Sequence, residues 1–175
     1  TRGSRFGARH ERSIFYASIA LSTAFAEVAY YRLLFLEGTR AAIEPVVVDL
    51  SAFQVQLRTE VAIDLTRPPF DAWEAEISDP LSYRTSQRLG AEMRQDGIEL
   101  AVYRSARDPE KGDNLAVFSP TCFARRKPSV PQTWLSVATR EAVEVSRRDY
   151  FERQSYRFPR TVFEIDGRLP APALE

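Results

Sequence analysis

The chain has 175 residues, with 24 basic and 24 acidic side chains and zero formal net charge. That length fits one domain, and the charge balance argues against nucleic acid as the main partner, because phosphate binding needs a surplus of cations. Hydrophobic content of 44% with 27% charged residues fits a soluble globular chain with a real core, and a local basic patch stays compatible with it.

Cys122 and His10 are the single cysteine and histidine. An intrachain disulfide is therefore excluded, and nothing requires an oxidising compartment. One His and one Cys argue against a zinc site, so no metal is expected. A Ser-His-Asp triad would have to use His10, and no GxSxG accompanies it. Ser13 to Ala26 is uncharged for 14 residues, short of the ~20 that a membrane span needs. Glu27 and Arg32 interrupt its continuation, and the layout is not that of a signal peptide. A cytoplasmic protein without membrane contact is expected.

Residues 1–13 read as a loop rich in Gly and Arg, carrying Arg5, Arg9, His10, Glu11 and Arg12. In Gly3-Ser4-Arg5-Phe6-Gly7 the glycines let backbone approach a ligand, and the arginine between them can fork onto phosphate oxygens. The plain alternative is a solvated basic segment. Ile14 to Ala17 reads as a short buried strand, with Tyr16 as a core aromatic or a pocket wall.

Ser22 or Thr23 reads as an N-cap, with a helix to about Leu36, stopped by Glu37-Gly38-Thr39. Ala24, Val28, Tyr31 and Phe35 fall on one face and predict its buried stripe. Glu27 borders that stripe. A lone carboxylate among apolar side chains is costly, since removing the partner of a buried ion pair costs ~3–5 kcal/mol. Glu27 therefore has a cation, Arg5 being the first candidate, or a use.

Val46 to Val48 is a buried strand run. Phe53, Val55 and Leu57, then Val61, Ile63 and Leu65, alternate with polar residues and predict antiparallel strands with one wet face. Arg67-Pro68-Pro69-Phe70 breaks the sheet, and a loop or short helix follows around Trp73. Residues 83–96 predict a second helix with Tyr83, Leu89 and Met93 as apolar positions and Gly97 as its C-terminal stop. A strand from Ile98 to Tyr103, a polar loop from Arg104 to Asn114 and a strand from Leu115 to Phe118 complete this segment. Ser105 alone reads as a turn serine bonding its own backbone. Beyond it lie a Pro-marked loop with Cys122 and the solvated run Arg125-Arg126-Lys127. Strand-like stretches follow over Thr133 to Val145 and Arg157 to Ile165, expected as a terminal hairpin pair. The tail over 167–175 is expected to be mobile.

Two segments resemble the RES-domain family: Gly-x-Arg-Phe, a strand ending Tyr-Ala-Ser and Thr-Ala-x-x-Glu on a helix; then Tyr-x-Ser-Ala-Arg, a loop and Asn-x-Ala-Val-Phe. The matching positions are Arg5, Tyr16, Glu27 and Ser105, with Thr85 or Ser86 as second choices for a functional hydroxyl. The resemblance implies an α+β fold like that of ADP-ribosyltransferase toxins, a mixed β-sheet core with a few helices.

It also implies cleavage of the nicotinamide–ribose bond of NAD. NAD is then a substrate, no cofactor is needed, and phosphate is a candidate co-substrate. The implied roles are a charge-stabilising carboxylate for Glu27, a pyrophosphate clamp for Arg5, a platform for the nicotinamide ring for Tyr16 and a bond to ribose or phosphate for Ser105. The acceptor stays open: phosphate, water or, for an ADP-ribosyltransferase, a protein side chain. The implied biology is the toxin of a bacterial toxin–antitoxin pair, covered by an Xre-like helix-turn-helix antitoxin, with a homo-oligomer left open. A non-catalytic protein-interaction domain is the competing reading. Family members carry another arginine on a strand before the Gly-Arg motif. The chain starts four residues before Arg5, so that strand is expected to lie outside this sequence.

Overall fold

A computed structural model describes residues 3–172. The chain resolves into two compact units: Thr1–Ala24 with Leu57–Ala124 and Ala171–Glu175, and Phe25–Gln56 with Arg125–Pro170. Each contains one four-stranded sheet, so the fold is α+β.

The first unit holds β1 (Phe15–Ser18), β3 (Ala62–Asp64), β4 (Leu100–Arg104) and β5 (Asp113–Val117), in the order β1-β5-β4-β3. β1–β5 and β5–β4 pair antiparallel, whereas β3 lies parallel to β4. The sheet is therefore mixed, and the antiparallel pairing expected for residues 61–65 is corrected. A parallel neighbour needs a crossover of a dozen or more residues, which residues 65–99 supply. They include α2 (Glu74–Ile77) and α3 (Arg84–Gln95). Phe53 to Leu57 form no strand; Leu57 makes a single bridge to Phe123.

Both faces of this sheet are covered, and the alternation along each strand says which residue serves which face. Ala101, Tyr103 and Ala116 pack into one cluster with Phe6, Leu65, Ile77 and Met93; Leu100 and Val117 pack into another with Cys122. Tyr16 joins the first cluster and Phe15 the second. α3 ends as expected at Gly97, whose φ is +73°. The Ile98 amide donates to the Met93 carbonyl at 2.8 Å and the Gly97 amide to that of Arg94 at 3.2 Å. This is the paired closure that needs a left-handed residue just past the helix.

The second unit holds β2 (Val46–Ala52), β6 (Gln132–Ala138), β7 (Ala142–Arg147) and β8 (Ser155–Pro159), in sequence order and antiparallel throughout. The expected hairpin pair is thus a three-strand meander with β2 added at its edge. Trp134 is fully buried, with Phe25 at 4.7 Å and Tyr156 at 5.9 Å between ring centroids. Burying each such side chain contributes about 1.5–3 kcal/mol.

Helix α1 (Leu21–Glu37) starts earlier than its expected cap, so Thr23 lies inside it. Its buried residues are Thr23, Phe25, Ala26, Ala29, Tyr30, Leu33 and Leu36, while Tyr31 and Phe35 are 53% and 56% exposed. The stripe through residues 24, 28, 31 and 35 is therefore the outward one. Apolar residues occupy nearly every side of this helix, so periodicity had no polar face to read against. At the end of α1, Arg140 donates to the Leu36 and Thr39 carbonyls, each at 2.8 Å. The helix has no basic residue of its own in the last turn, and Arg140 supplies both the donors and the charge. Residues 167–172 are not a free tail: Leu169 and Pro170 are buried, and the Tyr30 hydroxyl donates to the Pro170 carbonyl. Residues 173–175 of the expected tail lie outside the described residues.

Gly90 fixes how α3 meets the N-terminal turn. A Cβ there would stand 2.0 Å from the Phe6 carbonyl oxygen and 2.7 Å from its carbon. Gly90→Ala is expected to destabilise the protein by at least about 1–3 kcal/mol through overpacking. Urea unfolding measures this, and an unchanged midpoint would show that the close approach is not required.

Candidate functional site

Residues Gly3–Gly7 form a tight turn. The Ser4 amide donates to the Gly7 carbonyl at 2.8 Å, and Phe6 points inward with no exposed surface. α3 holds the turn from one side. The Ser86 hydroxyl donates to the Arg5 carbonyl at 2.7 Å, and Gln87 Nε2 reaches the Ser4 carbonyl at 3.0 Å and that of Gly7 at 3.4 Å. β1 holds it from the sheet: the Tyr16 phenol accepts from the Phe6 amide and donates to Ser4 Oγ, both at 3.0 Å. Burial pushes the Tyr16 phenol above its ordinary pKa, against the bonds with Ser4 and Phe6 and the positive fields of Arg5 and Arg94.

This turn aims Arg5 into the unit, where it is 8% exposed. Nη1 donates to the carbonyls of Ile77 at 3.0 Å and Asp79 at 3.1 Å, and the guanidinium carbon lies 4.9 Å from the Tyr83 ring centroid. Among the described residues Arg5 forms no ion pair, and Nε and Nη2 make no hydrogen bond. A buried cation is normally matched by an acid. Arg5 is instead held by dipoles and an aromatic face, which fix its position without cancelling its charge.

The segment that Arg5 grips, 77–80, also carries the second half of the site. The Ser78 hydroxyl donates to the Arg104 carbonyl at 2.7 Å, and Arg107 Nη2 donates to the Pro80 carbonyl at 2.9 Å. Between those arginines Ser105 is 4% exposed, and its Oγ accepts from the Arg107 amide at 3.1 Å and the Asp108 amide at 3.0 Å. Those are bonds of a turn serine. Asp108 closes the loop by accepting from Thr23 Oγ1 at 2.7 Å and from the Gly112 amide at 3.2 Å. Gly112 is needed for that closure, since a Cβ would stand 2.1 Å from Thr23 Oγ1.

The structure thus links Arg5 and Ser105 through one four-residue segment and seats Tyr16 under the same turn as Arg5. Ser86 and Thr85 separate. Ser86 is fully buried and its hydroxyl is committed to main-chain carbonyls, so it serves the turn and is not open to a ligand; Thr85 is exposed on α3. Glu27 is half-buried in the part of α1 that belongs to the second unit.

Thr23 and Arg107 stand in the two motifs, but neither they nor Asp108, Gln87 and Gly112 have a site role assigned from sequence. Asp108-Pro109 inside a Ser-x-Arg-Asp-Pro run was the available signal of a built turn; nothing local marks Thr23 as its partner. Among the described residues no group of three or more His, Cys, Asp or Glu is placed to hold a metal ion, and no helix is long and apolar enough to cross a membrane.

The profile of the RES domain family matches residues 1–138. Among curated proteins, none matches the chain.

The Tyr16 bonds make a prediction with a pH signature. Tyr16→Phe strands the Phe6 amide and is expected to cost about 1–3 kcal/mol. Because the folded pKa is raised, the neutral phenol is favoured in the fold. Its contribution is complete below the ordinary value of 10.0 and is lost as pH rises through the folded value. Denaturant unfolding of parent and variant at neutral and at strongly alkaline pH should show the gap between them narrowing. An equal gap at both would mean the phenol titrates as if exposed.

Proposed function

The chain belongs to the RES domain family, and from that premise we propose that it cleaves the nicotinamide–ribose bond of NAD, as an NAD phosphorylase or glycohydrolase. The observation that supports this reading most directly is Arg5: a buried guanidinium, anchored through Nη1 alone and matched by no carboxylate among the described residues. Such a group attracts an anion, and its remaining nitrogens have the fork geometry that suits phosphate oxygens. The pyrophosphate of NAD supplies that anion.

In the proposed reaction the bond between ribose C1′ and the nicotinamide nitrogen breaks, and its electron pair leaves with neutral nicotinamide. Positive charge grows on the ribose. Glu27 is assigned the carboxylate that stabilises it, and water or phosphate completes the bond to C1′ while giving up a proton. Tyr16, its phenol tied to Ser4 and Phe6, offers a fixed ring to the nicotinamide. Ser105 Oγ accepts from the Arg107 and Asp108 amides, and it is assigned the bond to the ribose or the adjacent phosphate. These roles follow the family resemblance. NAD is a substrate here, and no cofactor is invoked.

RES domain proteins are generally paired with an antitoxin. The same proposal makes this chain the toxin of a bacterial pair, covered by an Xre-like helix-turn-helix partner.

The test is NAD loss over time with purified protein, with and without added phosphate, beside Glu27→Ala. Removing one preorganised charge-stabilising group slows chemistry by about 100- to 1000-fold, and that is the expected effect of Glu27→Ala. Phosphate dependence separates phosphorolysis from hydrolysis. Stable NAD with the parent under both conditions sinks the reading.

A further inference from the structure

The second unit has one end unlike the rest of its surface. β6 enters at Gln132 and β7 leaves at Arg147, which pairs with Trp134, and the Arg148 amide donates to the Thr133 carbonyl at 2.9 Å. The loop before β6 and the turn after β7 therefore emerge side by side. The first presents Arg125, Arg126, Lys127 and Val130; the second presents Arg148, Tyr150, Phe151 and Arg153. Val130 is 88% exposed, Tyr150 91% and Phe151 90%. Three large apolar side chains so fully in water, grouped at one end, lose free energy that any apolar contact would recover.

Both loops are built, not loose. The Ser129 amide donates to the Gln54 carbonyl at 2.9 Å, and Ser129 Oγ accepts from the Gln54 amide at 2.8 Å. In the turn, Asp149 Oδ1 accepts from the amides of Phe151 at 2.9 Å and Glu152 at 3.2 Å. The charge is one-sided. Both acids of the turn, Asp149 and Glu152, are paired with Arg147, and Arg148 lies 3.3 Å from Asp49. Arg125, Arg126, Lys127 and Arg153 are exposed and form no ion pair among the described residues.

We propose that this end of the second unit docks on an anionic lipid bilayer, with Tyr150, Phe151 and Val130 entering the headgroup layer and Arg125, Arg126, Lys127 and Arg153 set against lipid phosphates. The pattern is that of an interfacial contact: aromatic side chains at the water boundary, with cations beside them. The surface consists of two loop tips, which suit insertion into a fluid layer better than the broad complementary face of a stable protein interface. Tyr150 and Phe151 meet edge to face, with centroids 5.3 Å apart and planes at 80°. They do not form the parallel platforms that stacked bases would use, and Val130 has no ring at all. No membrane-crossing helix is involved; the contact is peripheral and independent of the NAD reading.

The experiment is co-sedimentation of the purified chain with phosphatidylcholine vesicles and with vesicles of equal parts phosphatidylcholine and phosphatidylglycerol. The parent should sediment with the anionic vesicles alone, and less as salt rises. Each cation near such a surface contributes about a fivefold gain in partitioning, so Arg125→Ser with Arg126→Ser and Lys127→Ser should weaken binding about a hundredfold. Tyr150→Ser with Phe151→Ser should abolish sedimentation while keeping the parent's melting curve and rate of NAD loss; if that pair misfolds, Tyr150→Ser alone serves. No binding by the parent, equal binding to neutral vesicles, or parent-like binding by the aromatic variant would overturn the proposal. So would binding to a short single-stranded oligonucleotide that the same substitutions remove, which would assign the surface to nucleic acid.

Discussion

The first unit is built around a guanidinium that has been taken out of water with no acid to meet it among the described residues. Arg5 is held by the Ile77 and Asp79 carbonyls and by the face of Tyr83. Dipoles of this kind offset part of the desolvation cost and leave the charge in place. Everything nearby enforces that arrangement. Gly90 lets α3 approach the Phe6 backbone, Ser86 and Gln87 bond the turn's carbonyls, and Tyr16 takes the Phe6 amide. Most of the polar side chains around Arg5 are thus spent on the backbone that aims it. A fold that invests so many bonds in one orientation has fixed the charge before any ligand arrives, which is the condition under which an electrostatic site is most effective.

The same segment, 77–80, transmits this order to Ser105. It is short, and its carbonyls are taken up in turn by Arg5 and Arg107, while Ser78 ties it to the end of β4. The 105–112 loop is locked in turn by Asp108, which gathers the Thr23 hydroxyl and the Gly112 amide. Loops are ordinarily the mobile part of a domain. Here two of them are cross-braced by buried arginines, so the groups they carry have the positional definition usually found on strands and helices.

How much of this could be read from the chain depends on whether the cause was local. The Gly97 stop was legible because a left-handed residue past a helix is a local demand. β1, α3 and the β4–loop–β5 unit were legible for the same reason, whereas Tyr16 and Ser105 were named through the family resemblance. The buried face of α1 was misread because the helix is apolar on almost every side; only its packing partners, such as Trp134 against Phe25, select the face. The parallel pairing of β3 with β4 depends on a partner some forty positions away in sequence, which alternation cannot identify. Ser86 was a second choice because the family resemblance places a functional hydroxyl at this helix start; its burial against the Arg5 carbonyl is a tertiary fact. Thr23 and Asp108, 85 positions apart, carry no local mark of each other.

Zero net charge was the weakest guide of all, and the structure explains why. The equality of 24 basic and 24 acidic side chains says nothing about where they lie. In the described residues a large share of the acids are matched in pairs on the surface, as in Arg88–Glu92 and Arg157–Glu144. Such exposed pairs contribute little to stability, typically 0 to about 1 kcal/mol each, but they remove charge of both signs from the far field. What remains unmatched is what a ligand meets, since a field is felt within about a Debye length of its source, ~8–10 Å in physiological salt. Among the described residues, neither the buried guanidinium of Arg5 nor the exposed cluster at Arg125–Lys127 and Arg153 forms an ion pair. Both are cationic, so a chain neutral in sum presents local positive fields, and anionic ligands are the class those fields select.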